Sequence, residues 1–378
     1  MEELLELDKR ILEIRRESSS DEVGDKERFR RVELTKIEMM SQGSAVRATL
    51  DANTKPLMKI AQDLKKRKIS RIVMVGCGDS WISGYGVRHV AEKYLKAVCE
   101  PYEAFDFSKY GLDVINSETL VIGLSSSGKT EPVIYGLKES IKRGAYAIGC
   151  SNTENSPLMK EFPGALLIKA TRGGWPTQSS TAAMALKIAF IASVAETKGM
   201  DVDNLRNAIL ELPTQIDEVA KSFYANAKTL GKKLARSELI LLTGAGPHYA
   251  PASFGAAKLK ELAPIHSYAF PLEEYHHYRT QKKGDPMFII APDIKSHSRA
   301  YETAIMSQAC NGFCIALVPK GESQISKIAD VVWEMPKVEN ETAPVIYSIP
   351  LHLFGYHIAI ERDALGLGAP ILGGRIDT

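Results

Sequence analysis

The sequence of 378 residues predicts an α/β fold built from two similar halves, each a parallel, doubly wound sheet flanked by helices. Two observations predict this fold. Continuous apolar runs alternate with helix-compatible segments, a pattern typical of βαβ units whose strands are buried on both faces. The runs of the first half then recur in the second half with nearly the same spacing, which indicates a duplicated domain.

Four apolar runs predict the strands of the first half. Most of them lead into Gly or small polar residues, which favour a turn or loop after the strand. The runs are RIVMVGCGDS at 71–80, TLVIGLSSSG at 119–128, AYAIGCSN at 145–152 and ALLIKAT at 165–171. Because helix-compatible segments separate several of these runs, we expect right-handed βαβ crossovers between them.

Four later runs predict the matching strands of the second half. They are ELILLTGAGPHY at 238–249, MFIIAPD at 287–293, FCIALVPKGE at 313–322 and DVVWEMP at 330–336. Gly76 and Gly123 in the first half are 47 positions apart, and Gly244 and Ile290 in the second are 46 apart. The step to the following strand is 26 positions in both halves. Agreement over consecutive strands favours a repeat over coincidence.

These patterns divide the chain into three parts. Residues 1–35 are mostly charged, with Leu and Ile at helical spacing, and predict a helical N-terminal extension. Residues 36–205 are the first predicted α/β domain and residues 206–378 the second, with the boundary in a helical stretch. Another helical stretch is expected from Val32 to Lys66.

Composition excludes several classes of protein. The 48 basic and 46 acidic residues leave a formal charge of +2, so we expect no nucleic-acid partner. We find no run of the ~18 apolar residues that a membrane span needs, and therefore expect no membrane contact. The N-terminus is charged from residue 2 and is unlike a signal peptide. Five Cys without CxxC spacing argue against disulfides and a zinc site, and predict a cytoplasmic location.

A loop rich in hydroxyl groups follows the second strand. It contains Ser125, Ser126, Ser127 and Thr130, and stands where a helix begins. Unpaired backbone N–H groups and the helix dipole make such a position suited to an anion. An ordinary helix cap needs only one hydroxyl, so the density favours a phosphate site.

The kind of phosphate stays open on these residues alone. Residues 123–130 read GLSSSGKT and match the P-loop pattern GxxxxGK[ST] of nucleotide-binding proteins. Against a nucleotide site, no strand of the first half ends in the Asp that P-loop enzymes use to hold Mg²⁺. On these residues alone, a nucleotide hydrolase and a protein with a simple phosphate-binding loop are therefore both open alternatives.

Two more loops carry polar side chains at predicted strand ends. Asp79 and Ser80 follow the first strand, where they either contact sugar hydroxyls or cap the next helix. The glycines there do not complete GxGxxG, so a dinucleotide site is not supported. Thr177 and Ser179 lie in a further hydroxyl-rich loop that could serve only as a cap.

The second half holds most of the candidate titratable groups. On a helix, Lys258 and Glu261 share one face, although a solvated ion pair would give the same spacing. His276 and His277 have carboxylates nearby, but no third ligand at suitable spacing is evident, so we expect no metal. His266 follows an apolar residue and is expected in the core.

Taken together, four segments resemble the sugar isomerase (SIS) domain family. They are the GCGDS turn, the LSSSGKTE loop, the TQSST segment and the KLKELAPIH…EEYHH stretch. The resemblance covers roughly residues 35–360, and within the family it is greatest to double-SIS proteins: the isomerase half of glucosamine-6-phosphate synthase and its deaminase and deglycase relatives. A P-loop fold would not explain the second-half motifs, so the resemblance favours a sugar phosphate over a nucleotide.

The resemblance implies a role for each matching residue. It implies phosphate or substrate binding by Ser80, Ser125, Ser126, Ser127, Thr130, Thr177 and Ser179. It implies a catalytic base at Glu261 with Lys258 one turn before it, and a ring-opening His at His277. In the family this His commonly comes from the neighbouring subunit, so a homodimer with shared active sites is expected. No cofactor is expected.

The sequence also departs from the family's synthases. Glu2 stands where they carry a glutaminase Cys, and the last Lys is Lys337, so a Schiff-base Lys in the tail is in doubt. Tyr278 follows His277 where the family has Gly-Pro, and residues 294–298 suggest a second Ser loop that no longer binds.

The expected activity is proton transfer between C1 and C2 of a hexose or aminohexose 6-phosphate, without glutaminase activity. Isomerase, glucosamine-6-phosphate deaminase and fructosamine-6-phosphate deglycase are all compatible with it. A catalytically inactive sugar-phosphate sensor that regulates a protein partner is the alternative.

Overall fold

The structure is a computed structural model and describes residues 26–367. It contains two five-stranded parallel sheets, one in each half, with helices on both faces. The predicted duplicated α/β fold is therefore confirmed. The helices expected before residue 26 and the tail at 368–378 lie outside the described residues.

Two helices precede the first sheet. Helix α1 spans Lys26–Met40 and α2 spans Gln42–Leu64, with a break at Ser41. This agrees with the helical stretch expected from Val32 onward, apart from the break. Helix α1 buries Val32, Thr35 and Met39 at helical spacing, so one of its faces packs on the rest of the protein.

The first half alternates strands and helices after these two helices. In chain order its elements are β1 (Arg71–Gly76), α3 (Asp79–Leu95), β2 (Val98–Glu103), α4 (Ala104–Tyr110), β3 (Thr119–Leu124), α5 (Glu131–Lys142), β4 (Tyr146–Ser151), α6 (Pro157–Lys160), β5 (Gly164–Leu167) and α7 (Gln178–Thr197). All four strands predicted for this half are present.

The second half repeats this pattern after a long helix. Its elements are α8 (Asp203–Leu234), β6 (Leu239–Gly244), a 3₁₀ turn (Gly246–His248), α9 (Tyr249–Leu262), β7 (His266–Pro271), α10 (Glu274–His277), β8 (Pro286–Ile290), α11 (Ile294–Ala309), β9 (Phe313–Pro319), a 3₁₀ turn (Ile325–Lys327), β10 (Val331–Met335) and α12 (Ala343–Ala364). The four strands predicted for this half are present too.

Both sheets have the same strand order. The first is β2-β1-β3-β4-β5 and the second, written the same way, is β7-β6-β8-β9-β10. In the first sheet β2 lies on one side of β1, and β3 and the later strands lie on the other, so the direction of winding reverses between β1 and β3. In the second sheet it reverses between β6 and β8. In open parallel sheets, ligand crevices form at such switch points, beyond the carboxyl ends of the strands.

The sequence did not predict the edge strands β2 and β7. Each pairs with one neighbour only, and each carries polar residues and a proline instead of an apolar run. His266 begins β7 and is exposed, so the expectation that it lies in the core was wrong. An edge strand leaves part of its side chains in solvent, even next to an apolar residue such as Ile265.

The two halves share one hydrophobic core. A continuous cluster of buried side chains joins the inner faces of both sheets with α2, α7, α8, α9 and α12. Smaller clusters cover the outer face of each sheet under α4, α5 and α11. The predicted boundaries at 35/36 and 205/206 fall inside α1 and α8, and these divisions stay predictions.

Two core helices correct the expectation that no segment could span a membrane. Among residues 26–367, Gln178–Thr197 and Ala343–Ala364 are long and apolar enough by length and composition, with mean hydropathy of 1.2 and 1.3. However, 89% and 94% of these stretches are buried inside the protein. Helices surrounded by other elements are apolar all round, which explains their composition.

Helix α7 also carries a buried lysine, which lies against the first turns of α3. Lys187 is 2% exposed, and its Nζ donates to Ser83 Oγ at 2.7 Å. Burial lowers the pKa of Lys187 to about 8, and nearby Cys150 and Cys99 oppose this only in part. The buried ammonium therefore lowers the free energy of unfolding at neutral pH.

We expect Lys187→Met to increase the free energy of unfolding at pH 7. A lysine whose pKa falls from about 10.5 to about 8 on folding costs up to about 3 kcal/mol, and the lost hydrogen bonds to Ser83 Oγ and Ser80 O offset about 1–2 kcal/mol. Between pH 8 and 10.5 the unfolded chain binds more protons than the folded one, so the wild type gains stability with rising pH. The stability advantage of Lys187→Met over the wild type should therefore shrink as the pH rises from 8 to 10.5.

Urea unfolding at pH 7 and pH 10 measures this difference. Lys232→Met, at an exposed position on α8, is the matched control and should change little at either pH. A Lys187→Met variant that is less stable by the same amount at both values would contradict the prediction.

Candidate active site

A cavity of about 320 Å³ opens at the carboxyl ends of the first sheet's strands. Its wall is formed by the turn after β1, the loop after β3, residues following β4 and β5, the start of α7, and α9 from the second half. The structure brings together these predicted residues on its wall: Ser80, Ser125, Ser126, Ser127, Thr130, Ser179 and Glu261.

The loop at 125–130 is ordered by its own hydroxyl groups. Ser125 Oγ lies 2.7 Å from Thr130 Oγ1 and accepts a hydrogen bond from Gly128 N at 3.1 Å. Ser126 Oγ donates to Asn152 Oδ1, which follows β4, at 2.9 Å. These bonds hold several hydroxyls and N–H groups toward one space, which suits an anion with several oxygen atoms.

Gly128 is the residue that permits this turn. Its φ is +64°, a conformation that side chains rarely adopt. A Cβ there would also lie 2.0 Å from Ser156 Oγ. The cradle therefore depends on glycine at this position.

Three helices begin at the cavity. Helix α3 starts at Asp79, α5 starts directly after Thr130, and α7 starts at Gln178. The first N–H groups of a helix have no partner within it, and the helix dipole is positive at this end. The cavity thus offers an anion a favourable field with little formal positive charge.

A buried ion-pair network lies beside this cradle. Lys258 on α9 is fully buried, and its Nζ donates to Asp79 Oδ2 at 3.1 Å and to Pro176 O at 2.6 Å. The same ammonium group donates to Glu261 Oε2. Asp79 Oδ2 also accepts a hydrogen bond from Ser180 Oγ at 2.6 Å. Glu261 is 32% exposed and lines the cavity, so a ligand can reach it more readily than Asp79, which is 13% exposed.

The network shifts the proton affinity of its members. Burial raises the pKa of Glu261, the ammonium of Lys258 opposes this, and Asp79 adds to the rise. Burial alone would lower the pKa of Lys258, but Asp79 and Glu261 reverse that effect and raise it. The result is a charged lysine beside a carboxyl group that binds a proton more readily than usual, as suits a group that accepts and returns protons.

Besides the buried Lys258, two predicted residues lie outside the cavity wall. Thr177 is fully buried next to it, and its Oγ1 has no partner within residues 26–367. His277 is on α10, with its side chain 61% exposed and its Nε2 3.4 Å from Glu273 Oε1. It does not reach the cavity of its own chain.

Sequence reasoning missed two polar residues of the site and the ion-pair partner of a third. Asn152 and Arg172 both follow strands of the first sheet, so strand-end position was the signal that could have found them. Asp79 was noted only as a sugar contact or a cap, because its partner Lys258 lies 179 positions away.

In the second half, the position that matches the loop at 125–130 is occupied by a carboxylate of the protein itself. The carboxylate of Asp293, at the start of α11, accepts hydrogen bonds from Ser296 N and Ser296 Oγ, both at 2.9 Å. His248 Nε2 lies 3.1 Å from its other oxygen. Burial by itself would raise the pKa of Asp293, but these bonds hold it well below its usual range. This arrangement supports the expectation that the second copy does not bind phosphate.

No metal site is evident in the part of the chain that the structure describes. Within residues 26–367, no group of three or more His, Cys, Asp or Glu side chains is placed to hold an ion. His276, considered as a ligand, instead lies with its Nε2 2.9 Å from Thr303 Oγ1. The polar groups of the cavity are suited to an anionic, hydroxyl-rich ligand.

Comparison with known proteins identifies two repeats of one family. The SIS domain family matches residues 64–195 and again residues 233–362. A glutamine–fructose-6-phosphate aminotransferase (isomerizing) of Corynebacterium glutamicum is 26% identical over 345 residues. That match covers 86% of this chain and 55% of the relative, so the chain spans about half the length of this relative.

Solved structures share the fold. The C-terminal domain of glucosamine-fructose-6-phosphate aminotransferase from Francisella tularensis superposes with a TM-score of 0.76 at 22% identity, covering 91% of this chain and 98% of that one. Glucosamine-6-phosphate deaminase from Thermotoga maritima gives 0.66 at 18% identity, covering 87% and 94%. At these identities the likeness shows a common architecture.

We expect Asp79→Asn to lower the free energy of unfolding by about 2–3 kcal/mol, because Lys258 loses one of two carboxylates while it stays buried. Urea unfolding at pH 7 measures the loss. Ser180→Ala, which removes the other bond to Asp79, is the control and should cost about 1 kcal/mol. Wild-type stability in Asp79→Asn would show that the ion pair contributes nothing.

Proposed function

The chain belongs to the SIS domain family, and we propose that it is an enzyme that moves a proton between C1 and C2 of a hexose or aminohexose 6-phosphate. One observation carries the proposal: Glu261 lies on the wall of the same cavity as the loop at 125–130. An anion cradle and a carboxylate of raised proton affinity are the two parts that this reaction requires.

The cradle binds the phosphate in this proposal. The hydroxyl groups of Ser125, Ser126, Ser127 and Thr130 contact the phosphate oxygens, and the N–H groups at the start of α5 donate to them. Ser80 and Ser179, at the starts of α3 and α7, contact the sugar hydroxyls. Binding one end of the substrate in this way fixes C1 and C2 relative to Glu261.

Glu261 then carries the proton. It takes a proton from one carbon, an enediol or enediolamine forms, and it returns the proton to the adjacent carbon. Lys258 keeps a positive charge beside it and stabilises the negative charge that develops in the site during the transfer. With an aminohexose, the same transfers give an imine. Water then adds to its carbon and the C–N bond breaks, releasing ammonia or an amine, so deamination and deglycation use the same residues as isomerisation.

His277 opens the sugar ring in this proposal and acts in the active site of a second chain. Its exposure, and its place outside the cavity of its own chain, support such a role. The protein is accordingly proposed to be a homodimer with shared active sites, acting in the cytoplasm.

We expect Glu261→Gln to abolish turnover and leave sugar-phosphate binding nearly unchanged, because the amide has the same shape but cannot accept the proton. A thermal-shift screen with fructose 6-phosphate, glucosamine 6-phosphate and fructosamine 6-phosphates finds the ligand. Assays for isomerised sugar, ammonia and released amine then identify the reaction.

Glu139→Gln on α5 is the matched control, since Glu139 pairs with Lys142 and Arg143 on the surface of that helix. Full turnover in Glu261→Gln would remove it as the base. Binding without any turnover in the wild type would favour the sugar-phosphate sensor instead.

We expect mixtures of Glu261→Gln and His277→Asn chains to regain activity, because a mixed dimer has one active site with both groups intact. Random assembly should restore about a quarter of the wild-type activity, measured after the two inactive proteins are refolded together. Recovery near zero would contradict a shared site.

A further inference from the structure

Helix α1 holds a loop of the cavity wall through one buried carboxylate. Glu38 is 5% exposed, and its Oε1 accepts hydrogen bonds from Thr171 Oγ1 at 2.8 Å and from Gly173 N at 2.7 Å. Its Oε2 accepts one from Gly174 N at 3.2 Å. Three donors of a single loop, more than 130 positions away, thus converge on one side chain.

A second residue of α1 holds the end of the same loop. Thr35 Oγ1 accepts a hydrogen bond from Trp175 N at 2.8 Å. A Cβ on Gly174 would lie 2.5 Å from Thr35 Cα, so the two backbones pack as closely as glycine allows. The guanidinium of Arg31 also lies over the Trp175 ring, 4.3 Å from its centre.

The same helix also contacts the element that carries the proposed base. Arg28 Nη2 donates to the carbonyl of Leu262, the last residue of α9, at 2.6 Å. Helix α1 therefore ties the loop at 171–175 to the helix of Lys258 and Glu261. These two elements form adjoining parts of the cavity wall.

Arg172 is the residue that this loop places at the cavity. It stands between Thr171 and Gly173, which both bind Glu38 Oε1, and it lines the cavity. Its guanidinium has no hydrogen-bond or ion-pair partner within residues 26–367. The acidic groups of the wall, Asp79 and Glu261, are paired with Lys258 instead. An unpaired arginine on the wall of a ligand cavity is suited to a bidentate contact with an oxyanion.

We propose that Arg172 binds an anionic group of the ligand, and that Glu38 is the positioning residue that holds Arg172 toward the cavity. This inference rests on the proposed function, because it assigns one more contact to the same site. The anionic group is either the phosphate or a carboxylate on the substituent at nitrogen, since both offer a pair of oxygens to the guanidinium.

Arg172→Gln tests the contact, with three ligands measured by calorimetry on the full chain. Fructose 6-phosphate carries only the phosphate, and two fructosamine 6-phosphates carry either a neutral or a carboxylate-bearing substituent at nitrogen. A loss of about tenfold or more in affinity for all three assigns Arg172 to the phosphate. The same loss for the carboxylate-bearing ligand alone assigns it to the substituent.

Lys169→Gln is the matched control. It removes one positive charge three positions earlier, from a side chain that lies near Glu154 and outside the cavity wall. Equal affinities of wild type and Arg172→Gln for all three ligands would overturn the contact. An equal loss in Lys169→Gln would also overturn it, because general charge attraction would then explain the effect.

Glu38→Gln tests the positioning role, with hydrogen exchange at Gly173, Gly174 and Trp175 as the readout of the loop. We expect faster exchange there and a weakened affinity that approaches that of Arg172→Gln, with little further loss in the double variant. Glu33→Gln is the control, because Glu33 on the same helix accepts a hydrogen bond from the Tyr356 hydroxyl at 2.8 Å instead. Faster exchange with wild-type affinity would overturn the positioning role.

Failure of the proposed function is distinguishable from failure of this inference. If the wild type binds neither these three ligands nor glucosamine 6-phosphate, the proposed function fails and the contact fails with it. If the wild type binds and turns over its ligand while both variants match it, only this inference fails.

Discussion

The buried ammonium of Lys258 is the interaction on which the arrangement of the site depends. An unpaired charge in the interior costs several kcal/mol, so the fold must supply partners for it. Asp79 and the Pro176 carbonyl come from the first half and Glu261 from the second. Helix α9 is therefore fixed against the start of α3 and the loop before α7. The cavity lies between these elements, and its depth and the direction of Glu261 follow from this one cluster.

The two halves divide the work of the site along chemical lines. The first half contributes the hydroxyls, backbone N–H groups and helix starts, together with Asp79 and Arg172, whereas α9 contributes Lys258 and Glu261. This explains why a chain with a formal charge of only +2 can offer an anion cradle. It also keeps the Glu261 carboxylate apart from the hydroxyl loop at 125–130, so each has its own electrostatic environment.

Local patterns predicted the fold better than they predicted the site. The eight strands that read as apolar runs are present, because burial on both faces requires such runs. Strands β2 and β7 were not predicted, because each carries polar residues and a proline instead of an apolar run. The loop at 125–130 could be predicted because its hydroxyl residues lie within six positions of one another. The pairing of Lys258 with Asp79, and of Glu38 with the loop at 171–175, joins residues more than 130 positions apart, and no local pattern encodes such contacts.

The carboxylate of Asp293 has a consequence for the stoichiometry of the molecule. A duplicated domain would ordinarily provide two equivalent crevices per chain. In the second crevice this side chain already occupies the donors at the start of α11, and its negative charge repels any incoming phosphate. Under the proposed function we therefore expect one ligand per chain, because the protein's own carboxylate closes the second crevice to an anion. The second half instead contributes Glu261, on α9, to the wall of the first half's cavity, so the two copies of the fold complete one pocket between them.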